Sequence, residues 1–560
     1  MLACGLVFAV LGAIAALAGT TRRWLHLFQL EHYESARLMS WWGRRRDLWR
    51  PLELGACAVA VVASVVSVAT GHDTVAFALL VLVGVTLVAV GVLEWRREEK
   101  KPLVFTARAR RLFVVSHIPA LLLLVATLAV AVAGATSATM IAVLAGAGLV
   151  AVAAAPLFLA AANVALKPFE RRVNRRYVHQ ARATLARVAP LTIGITGSYG
   201  KTTTKFCVGR VLSASRETLV TPDSFNSFLG VTRTVNERMQ PTHEAFVVEM
   251  GAYRPGDIRE LCELVHPTIG ILTAIGPMHL ERFGSLDAIS QTKAELLHSL
   301  PADGHFITNA DDPRCRSLAA SAHVPVTLFA VDGADADVRA SDVRVGSGRT
   351  SFTLWLGERP HAVEARLLGL HNVRNLLAAA ACGLVTGVSD ADIVAALEAV
   401  EAPPHRLAPI VNRRTGVVVI DDAYNSNPEG ARNALDVLAE HEANRRVLVT
   451  PGMVELGSEQ DAANAELGRH AARVCDVVLL VGADQTKPVE RGLREGGLDS
   501  DRILVVHDID EATKELARIV GAGDVVLFEN DLPDTYIPHR RPSVRDADSA
   551  DRRIGAPARR

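Results

Sequence analysis

The distribution of apolar residues divides the chain into two parts of different character. The first third contains five long apolar stretches, and a bilayer core of roughly 30 Å is crossed by about 20 apolar helical residues. The stretches lack a polar face, so the pattern predicts transmembrane helices rather than helices of a soluble domain. Their approximate ranges are 2–20, 53–70, 74–93, 112–134 and 137–166.

Basic residues between the stretches predict an orientation. Arginine and lysine cluster in the loops 21–52 and 94–111 and after residue 167, whereas the intervening turns contain neither. Because basic loops stay on the cytoplasmic side, we expect a multi-pass protein of the cytoplasmic (inner) membrane, with its N-terminus outside and its remaining domains in the cytoplasm. No basic segment precedes the run 2–20, which favours a retained helix over a signal peptide. Within the first loop, residues 24–50 mix tryptophans with arginines, which fits an interfacial helix or a connecting loop.

After a basic linker at 168–190, short apolar strands alternate with amphipathic helices. This alternation predicts mostly parallel α/β sheets with helices on both faces. The first strands are predicted at 191–196, 245–250, 268–273, 304–308 and 325–331, with helices at 201–213, 257–264, 287–300 and 374–386. Further strands are predicted at 416–421, 446–450, 477–481, 503–506 and 525–529. The polar tail 537–560 is predicted to be disordered. The expected fold class is thus a five-helix membrane domain followed by α/β domains.

The length, net charge and cysteine spacing of the chain limit which classes of function it can have. A chain of 560 residues is long enough for several domains. Its formal net charge is zero, which gives no electrostatic case for binding nucleic acid. Seven cysteines are scattered without a pair at metal-ligand spacing, so neither a zinc site nor a disulfide framework is expected.

The first candidate binding residues lie at the end of the first predicted strand of the α/β region. Residues 191–205 form an apolar run that leads into spaced glycines, Lys201 and three threonines. This pattern is typical of a strand that enters a phosphate-binding turn and the first turn of a helix. Lys201 would neutralise phosphates and Thr202 could hold a metal ion. The strict P-loop pattern has glycine where this chain has Ile195, so a P-loop subclass and a chance glycine-rich turn both remain open.

Two later segments add candidate ligands. Glu249 ends the apolar run 245–250, and ligands of open α/β sheets lie beyond the carboxyl ends of strands. A carboxylate there could hold the Mg²⁺ that bridges nucleotide phosphates. His279 and Lys293 follow the next predicted strand. Taken alone, they are typical of a structural histidine and a solvated helix residue.

Together these blocks resemble the Mur ligase family, and most of all its branch that adds D-alanyl-D-alanine to the peptidoglycan precursor. The matching blocks follow one another in the order of the family. They are Gly197–Thr203, Glu249–Gly251, His279–Ser285, Lys293–Glu295, Gly369–Asn375, His405–Leu407 and Ile420–Pro428.

The resemblance implies ATP and two Mg²⁺ ions as cofactors. Asn372 and Asn375 would contact the nucleotide, Arg406 the γ-phosphate and Asp421 the ribose. The residues implied to bind the ATP phosphates are Gly197, Ser198, Tyr199, Gly200, Lys201, Thr202 and Thr203.

The resemblance also implies the metal ligands. Thr202 and Glu249 would hold one Mg²⁺, and His279 the second together with Lys293, which is often carbamylated in this family. Carbamylation would turn a cation that repels metal into a carboxylate-like ligand. The residues implied to be catalytic are Lys201, Glu249, His279, Lys293 and Arg406.

The family fold implies a central ATP-binding domain at 191–403 and a Rossmann-like C-terminal domain at 404–536 that closes over it. The implied activity is ATP-dependent amide formation through an acyl phosphate. An amino acid or a dipeptide such as D-alanyl-D-alanine would be joined to a carboxylate of a cell-wall precursor at the membrane face.

Two departures from the family leave the substrates open. The apolar region 1–167 occupies the place of the family's UDP-binding domain, so the acceptor could be UDP-linked or lipid-linked. The segment 529–534 is acidic where the D-alanyl-D-alanine-adding branch is basic. A synthetase of poly-γ-glutamate type or of another cell-surface polymer is the alternative. An ATP-driven membrane transporter or regulator is the alternative of another class.

Overall fold

The computed structural model describes most of the chain. The described residues are 2–31, 33–44, 73–96, 103–132, 152–223, 225–278, 280–331, 333, 335–346, 348–423, 426–454 and 456–530. The chain divides between Arg175 and Arg176 into two compact units.

Helices make up the first unit. Two of them, α1 and α3, approach closely through glycines: a Cβ on Gly12 would lie 2.5 Å from the carbonyl oxygen of Gly84. Leu17, Leu25 and Phe28 are buried in its apolar core. The helices are α1 (Leu2–Leu30), α2 (Ser35–Arg44), α3 (Asp73–Trp95), α4 (Ala107–Val132) and the part of α5 (Ala155–Val188) up to Arg175.

The prediction of a membrane domain at 1–167 is wrong. Among the helices of the described ranges, none is long and apolar enough to cross a membrane. The observed helices do not follow the apolar runs. Helix α1 continues through Arg22 and Arg23 to Leu30, and α4 contains arginines near its start and Pro119 within it.

Three further predictions depended on this membrane domain and lose their basis. The inner-membrane localisation, the outside N-terminus and the lipid partner all rested on five spanning helices. The predicted span 53–70 and residues 137–151 of the last one lie outside the described residues. From Ala155 onwards that last span belongs to α5, which continues to Val188 and is polar over much of its length.

The second unit contains a mostly parallel nine-stranded sheet in the order β2-β3-β1-β4-β5-β6-β7-β8-β9. Its strands are β1 (Leu191–Thr196), β2 (Thr218–Val220), β3 (Ala245–Glu249), β4 (Ile269–Leu272), β5 (His305–Asn309), β6 (Val326–Val331), β7 (Val338–Gly346), β8 (Arg349–Leu356) and β9 (Arg359–Ala365). Its helices are α6 (Lys201–Leu212), α7 (Phe228–Arg238), α8 (Asp257–Val265), α9 (Leu280–Phe283), α10 (Leu286–His298), α11 (Pro313–Ala320), α12 (Leu370–Val385) and α13 (Asp390–Glu398).

Strand β1 lies between β3 and β4, which sets the position of the candidate site. Ile195 is in register with Glu249 on one side and with Ile271 on the other. Because these strands are parallel, the glycine-rich turn after β1 and the carboxylate at the end of β3 lie at the same edge of the sheet.

A six-stranded sheet in the order β10-β11-β15-β12-β13-β14 follows. It is parallel except for the edge strand β10, which is antiparallel to β11. Its strands are β10 (Ala408–Val411), β11 (Val418–Asp422), β12 (Arg446–Thr450), β13 (Val477–Val481), β14 (Ile503–Val506) and β15 (Val525–Glu529). Its helices are α14 (Pro428–Glu440), α15 (Gln460–Val474), α16 (Lys487–Glu495) and α17 (Ile509–Ile519).

The predicted parallel α/β sheets are confirmed. The strands predicted at 446–450, 477–481 and 525–529 have the observed bounds. The antiparallel strands β7, β8 and β9 were not predicted, because they alternate buried and exposed positions and contain no continuous apolar run.

Candidate active site

The turn between β1 and α6 has the backbone of a phosphate-binding loop. Gly197 and Gly200 have φ values of 151° and 77°, in the region that favours glycine. A Cβ on Gly200 would overlap the side-chain oxygen of Asn375, and one on Gly197 would overlap Thr273. The glycines therefore let the turn fold tightly, with the N-terminus of α6 at its end.

Lys201 is partly buried in this loop. Its Nζ donates to the carbonyl oxygens of Gly197 at 2.7 Å and Ser198 at 3.2 Å. Burial lowers the Lys201 pKa to about 8; the charge of Glu249 opposes this shift and that of Arg406 adds to it. Lys201, Glu249 and Arg406 thus act electrostatically on one another.

A second loop supports the first. The Ser198 hydroxyl donates to the carbonyl oxygen of Gly276 at 3.0 Å and accepts from the amide of Gly276 at 2.9 Å. The Tyr199 ring lies so close to Gly276 that a Cβ there would overlap it. Thr273 also donates to the carbonyl oxygen of Tyr199. The loop after β4 therefore fixes the conformation of the glycine-rich turn.

Glu249 lies in a buried network of donors. Its Oε2 accepts from Lys205 Nζ at 3.1 Å, and its Oε1 accepts from Asn226 Nδ2 at 2.9 Å. Burial alone would raise the pKa of Glu249, but Lys205 and Lys201 hold it below its usual value. The carboxylate is therefore ionised at the end of β3. Lys205 also donates to the backbone oxygen of Asp223, which joins α6 to the loop after β2.

Asn372 and Asn375 of α12 lie behind the glycine-rich turn. Asn375 Oδ1 accepts from the Thr204 hydroxyl at 3.0 Å, and its Nδ2 donates to Asn372 Oδ1 at 3.0 Å. Asn372 Nδ2 donates to the carbonyl oxygen of Leu368 at 2.8 Å. These amides connect α12 to α6, and their contact with a nucleotide stays a prediction.

Lys293 of α10 is 4% exposed. Its Nζ forms no hydrogen bond with any residue that the structure describes. Burial and the charge of Lys201 lower its pKa to about 7. The predicted second ligand beside it, His279, lies outside the described residues. Among those residues, no group of three or more His, Cys, Asp or Glu side chains could hold a metal ion.

Arg406 enters the same region from the segment that begins the second sheet. Its neighbours His405 and Leu407 have φ values of 60° and 48°. His405 Nδ1 lies 2.7 Å from Asp421 Oδ2, and the Leu407 amide donates to Asp422 Oδ1 at 3.2 Å. These contacts hold the segment against the end of β11, which carries the predicted ribose ligand Asp421.

Three residues that organise the site were not predicted from the sequence. Lys205 and Asn226 hold Glu249. Arg374 lies 3.2 Å from Asp311 and 3.5 Å from Glu429, so it connects the helix α12 of the first sheet to α14 of the second. The only available signal was that Lys205 follows Lys201 by one helical turn.

The glycine-rich turn, Lys201 and Glu249 fit a nucleoside triphosphate with Mg²⁺. The glycines form a cradle that any Cβ would fill, and backbone amides at a helix N-terminus favour phosphate. The buried, ionised Glu249 is a hard oxygen ligand of the kind that Mg²⁺ prefers. Lys201 adds a cation on the same side.

The comparisons with known proteins agree with this geometry. Residues 195–383 match the model of the Mur ligase middle domain, and residues 405–529 match that of the Mur ligase glutamate ligase domain. The chain belongs to the Mur ligase family. Members of the family are ATP-dependent, ADP-forming acid–amino-acid ligases that use Mg²⁺, and this Mur ligase is an enzyme of that class.

Similar proteins carry a common description. The chain is 38% identical over 360 residues to the UDP-N-acetylmuramoyl-tripeptide–D-alanyl-D-alanine ligase of Mycobacterium tuberculosis, a match that covers 60% of this chain and 69% of that one. The ligase of that description from Escherichia coli is 35% identical over 294 residues, with 52% and 64% covered.

Among solved structures, MurF ligase from Thermotoga maritima in complex with ADP is similar. The TM-score is 0.57 at 26% identity, covering 64% of this chain and 80% of that one. MurF from Acinetobacter baumannii gives 0.56 at 28% identity, covering 63% and 75%. Both family models match after residue 194, so the helices of the first unit lie outside the matched regions.

Proposed function

We propose that this Mur ligase joins D-alanyl-D-alanine, through its amino group, to a carboxylate of a UDP-N-acetylmuramoyl-tripeptide in peptidoglycan synthesis. One observation carries the proposal: the glycine-rich turn after β1, whose space a Cβ on Gly197 or Gly200 would fill, lies at the same edge of the sheet as the buried carboxylate of Glu249. Lys201 of the same turn and Arg406, which precedes the second sheet, would add two cations to this carboxylate and the phosphate-binding turn. The printed names of the similar ligases supply the substrates.

The chemistry requires two anions to meet. In the first step, a carboxylate oxygen bonds to the γ-phosphorus, the bond from that phosphorus to the bridging oxygen breaks, and ADP leaves. In the second, an amine that has lost one proton attacks the acyl carbon. The C–O bond breaks, phosphate leaves, and the nitrogen loses a second proton. Lys201 and Arg406 would offset the repulsion and stabilise charge on the transferring phosphoryl group.

Four side chains would hold the metal ions. Thr202 and Glu249 would bind one Mg²⁺, and His279 with Lys293 the second. Bound Mg²⁺ supplies positive charge that neutralises phosphate oxygens. We propose that Lys293 is carbamylated, because a buried ammonium with no hydrogen bond to a described residue would repel a cation. Addition of CO₂ to its neutral amine, with loss of a proton, would create a carboxylate-like ligand.

Closure between two domains, 191–403 and 404–536, would complete the site. The segment that joins them contains the left-handed residues His405 and Leu407, and element ends of this kind absorb backbone rotation. Closure would bring Arg406 and Asp421 onto the nucleotide and exclude water from the acyl phosphate.

The acidic end of β15 is compatible with an anionic substrate. Glu529 accepts hydrogen bonds from the hydroxyls of Ser426 and of Thr450, the latter at 2.9 Å. Burial raises the Glu529 pKa to about 7, so this carboxyl group carries less negative charge than a surface glutamate. Residues 531–534 lie outside the described residues.

The test is turnover by the full chain. We expect ADP and phosphate release with ATP and Mg²⁺ only when UDP-N-acetylmuramoyl-tripeptide and D-alanyl-D-alanine are both present, and a tripeptide product extended by the dipeptide. Omission of either substrate and the Lys201→Ala variant are the controls. Turnover with a lipid-linked acceptor or a glutamate polymer alone would refute the proposed substrates. Hydrolysis of ATP that needs neither substrate would refute the ligase assignment.

A further inference from the structure

Helix α14 of the second sheet packs against the start of α12, which belongs to the first sheet. Leu368, just before α12, is 1% exposed and is part of the apolar core that Leu435 and Leu438 of α14 also form. The next residue, Gly369, has a φ of 88°, and a Cβ there would lie 2.7 Å from Val437 Cγ2. The first sheet therefore contributes a side chain to the core of the second, through a close apolar contact.

A second contact between the same two helices is electrostatic. Arg374 lies on α12, and its Nη1 is 3.5 Å from Oε1 of Glu429 in the first turn of α14. Its Nε donates to Asp311 Oδ2 at 3.2 Å, and that oxygen also accepts from the amide of Val331. Asp311 thus holds the guanidinium group to the first sheet, while its other end reaches the second.

The two contacts lie at different places along α14. Glu429 is in the first turn and Val437 is two turns later, about 12 Å away at 1.5 Å per residue. Packed apolar contacts tolerate little displacement. The side chains of the ion pair are 27% and 45% exposed, and exposed pairs open at small cost. A rotation of the second sheet about the apolar contact would therefore make or break the ion pair.

Glu429 also faces the glycine-rich turn of the candidate active site. Burial raises the pKa of the Tyr199 hydroxyl most, and the negative charge of Glu429 raises it further. Tyr199 immediately precedes Gly200 and Lys201 of that turn. The first turn of α14 is therefore close to both the phosphate-binding turn and α12.

We propose that the ion pair of Arg374 with Glu429 positions the second sheet over the glycine-rich turn, and that the apolar contact at Val437 is the pivot. The pair forms as the two sheets close and keeps Arg406 at the phosphate end of the nucleotide. Arg374 and Glu429 are thus positioning residues that act through Arg406 and do not touch the substrates. This assignment rests on the proposed role of Arg406 and adds the contact that sets its position.

The first test reverses the charge of Glu429 in the full chain. We expect Glu429→Arg to lower kcat/KM for ATP roughly 5- to 10-fold, because it replaces an attraction between the sheets by a repulsion. Glu364→Arg is the matched control, since Glu364 lies 3.6 Å from Arg349 and both residues belong to the first sheet. The control should keep the wild-type kcat/KM. Equal losses in the two variants would overturn the proposal.

A second substitution separates positioning from damage to the fold. Adding Arg374→Gln to Glu429→Arg removes the opposing charge and keeps a hydrogen-bond donor for Asp311. We expect the double variant to recover part of the lost kcat/KM. Damage to α14 would not respond to a change on α12, so no recovery would overturn the role of the pair.

Small-angle X-ray scattering tests the pair without turnover. In the presence of Mg²⁺ and ADP, we expect Glu429→Arg to have a larger radius of gyration than the wild type, and Glu364→Arg to match the wild type. Equal radii for all three proteins would overturn the positioning role. A wild type that does not join D-alanyl-D-alanine to the UDP-linked tripeptide would refute the proposed substrates, and the scattering comparison would still decide on the pair.

Discussion

The Lys205 ammonium lies 3.1 Å from the Glu249 carboxylate, and the two side chains are 0% and 1% exposed. The second oxygen of Glu249 accepts from Asn226. A predicted metal ligand is therefore held in a fixed orientation by a cation of the phosphate-binding helix. Since a buried charge without a partner is costly, this pair connects the stability of the sheet to the geometry of the site.

Removal of Lys205 should be strongly destabilising. We expect Lys205→Met to lower the free energy of unfolding by about 3–5 kcal/mol, because it leaves the Glu249 charge buried and unpaired. Urea titration of the full chain measures the change. The control is Arg233→Met, whose pair with Glu237 at 2.8 Å is 56% and 50% exposed. Exposed pairs contribute below about 1 kcal/mol, so an equal loss in both variants would contradict the role of burial.

The contact between Gly276 and Tyr199 should limit which residues can replace glycine at position 276. We expect Gly276→Ala to lower kcat by about 100-fold, because the added methyl group would displace the Tyr199 ring and the phosphate-binding turn. The same change in a Tyr199→Ala background should cost much less, since the ring is gone. Gly521→Ala, where a Cβ meets no atom within 4 Å, is the control. Equal losses in both backgrounds would show that the ring contact is not the cause.

The sequence predicted the parallel strands because buried strands are continuous apolar runs. Strand β12 at 446–450 and β15 at 525–529 are examples, and the carboxylate at the end of β3 followed from the same pattern. Lys205 was missed because a lysine in a helix usually indicates a solvated position. Its partners, Glu249 and the backbone of Asp223, are distant in sequence and meet it only in the folded sheet.

The membrane prediction took each apolar run as one helix, but the observed helices do not follow these runs: α1 continues through Arg22 and Arg23 to Leu30. Gly12 faces Gly84, and Gly19 faces Gly91, so close that a Cβ on either helix would meet the backbone of the other. Leu17 and Leu25 are buried among neighbouring helices. Such contacts between α1 and α3 depend on tertiary packing, which hydropathy alone does not reveal.

Lys293 provides a test of the second metal site. We expect Lys293→Ala to abolish ligase activity, because it removes the proposed carbamate ligand, and a short carboxylate such as acetate to restore part of it. The measurement is ADP release that depends on both substrates. Lys487→Ala, which changes an exposed lysine paired with Asp484, should leave activity unchanged. Full turnover by Lys293→Ala would exclude this lysine from the metal site.

His371 should make stability depend on pH in the acid range. Its Nδ1 is buried and has no hydrogen-bond partner within the described ranges, and burial, with the charge of Arg374, lowers its pKa from 6.5 to about 4. The unfolded chain therefore binds a proton first as the pH falls. Stability from this group is complete above pH 6.5 and declines towards pH 4, by at most about 3 kcal/mol. We expect urea titrations of His371→Gln at several pH values to show a shallower decline than the wild type between these limits. His179→Gln, a change at an exposed histidine, should follow the wild type, and parallel curves for all three proteins would contradict the assignment.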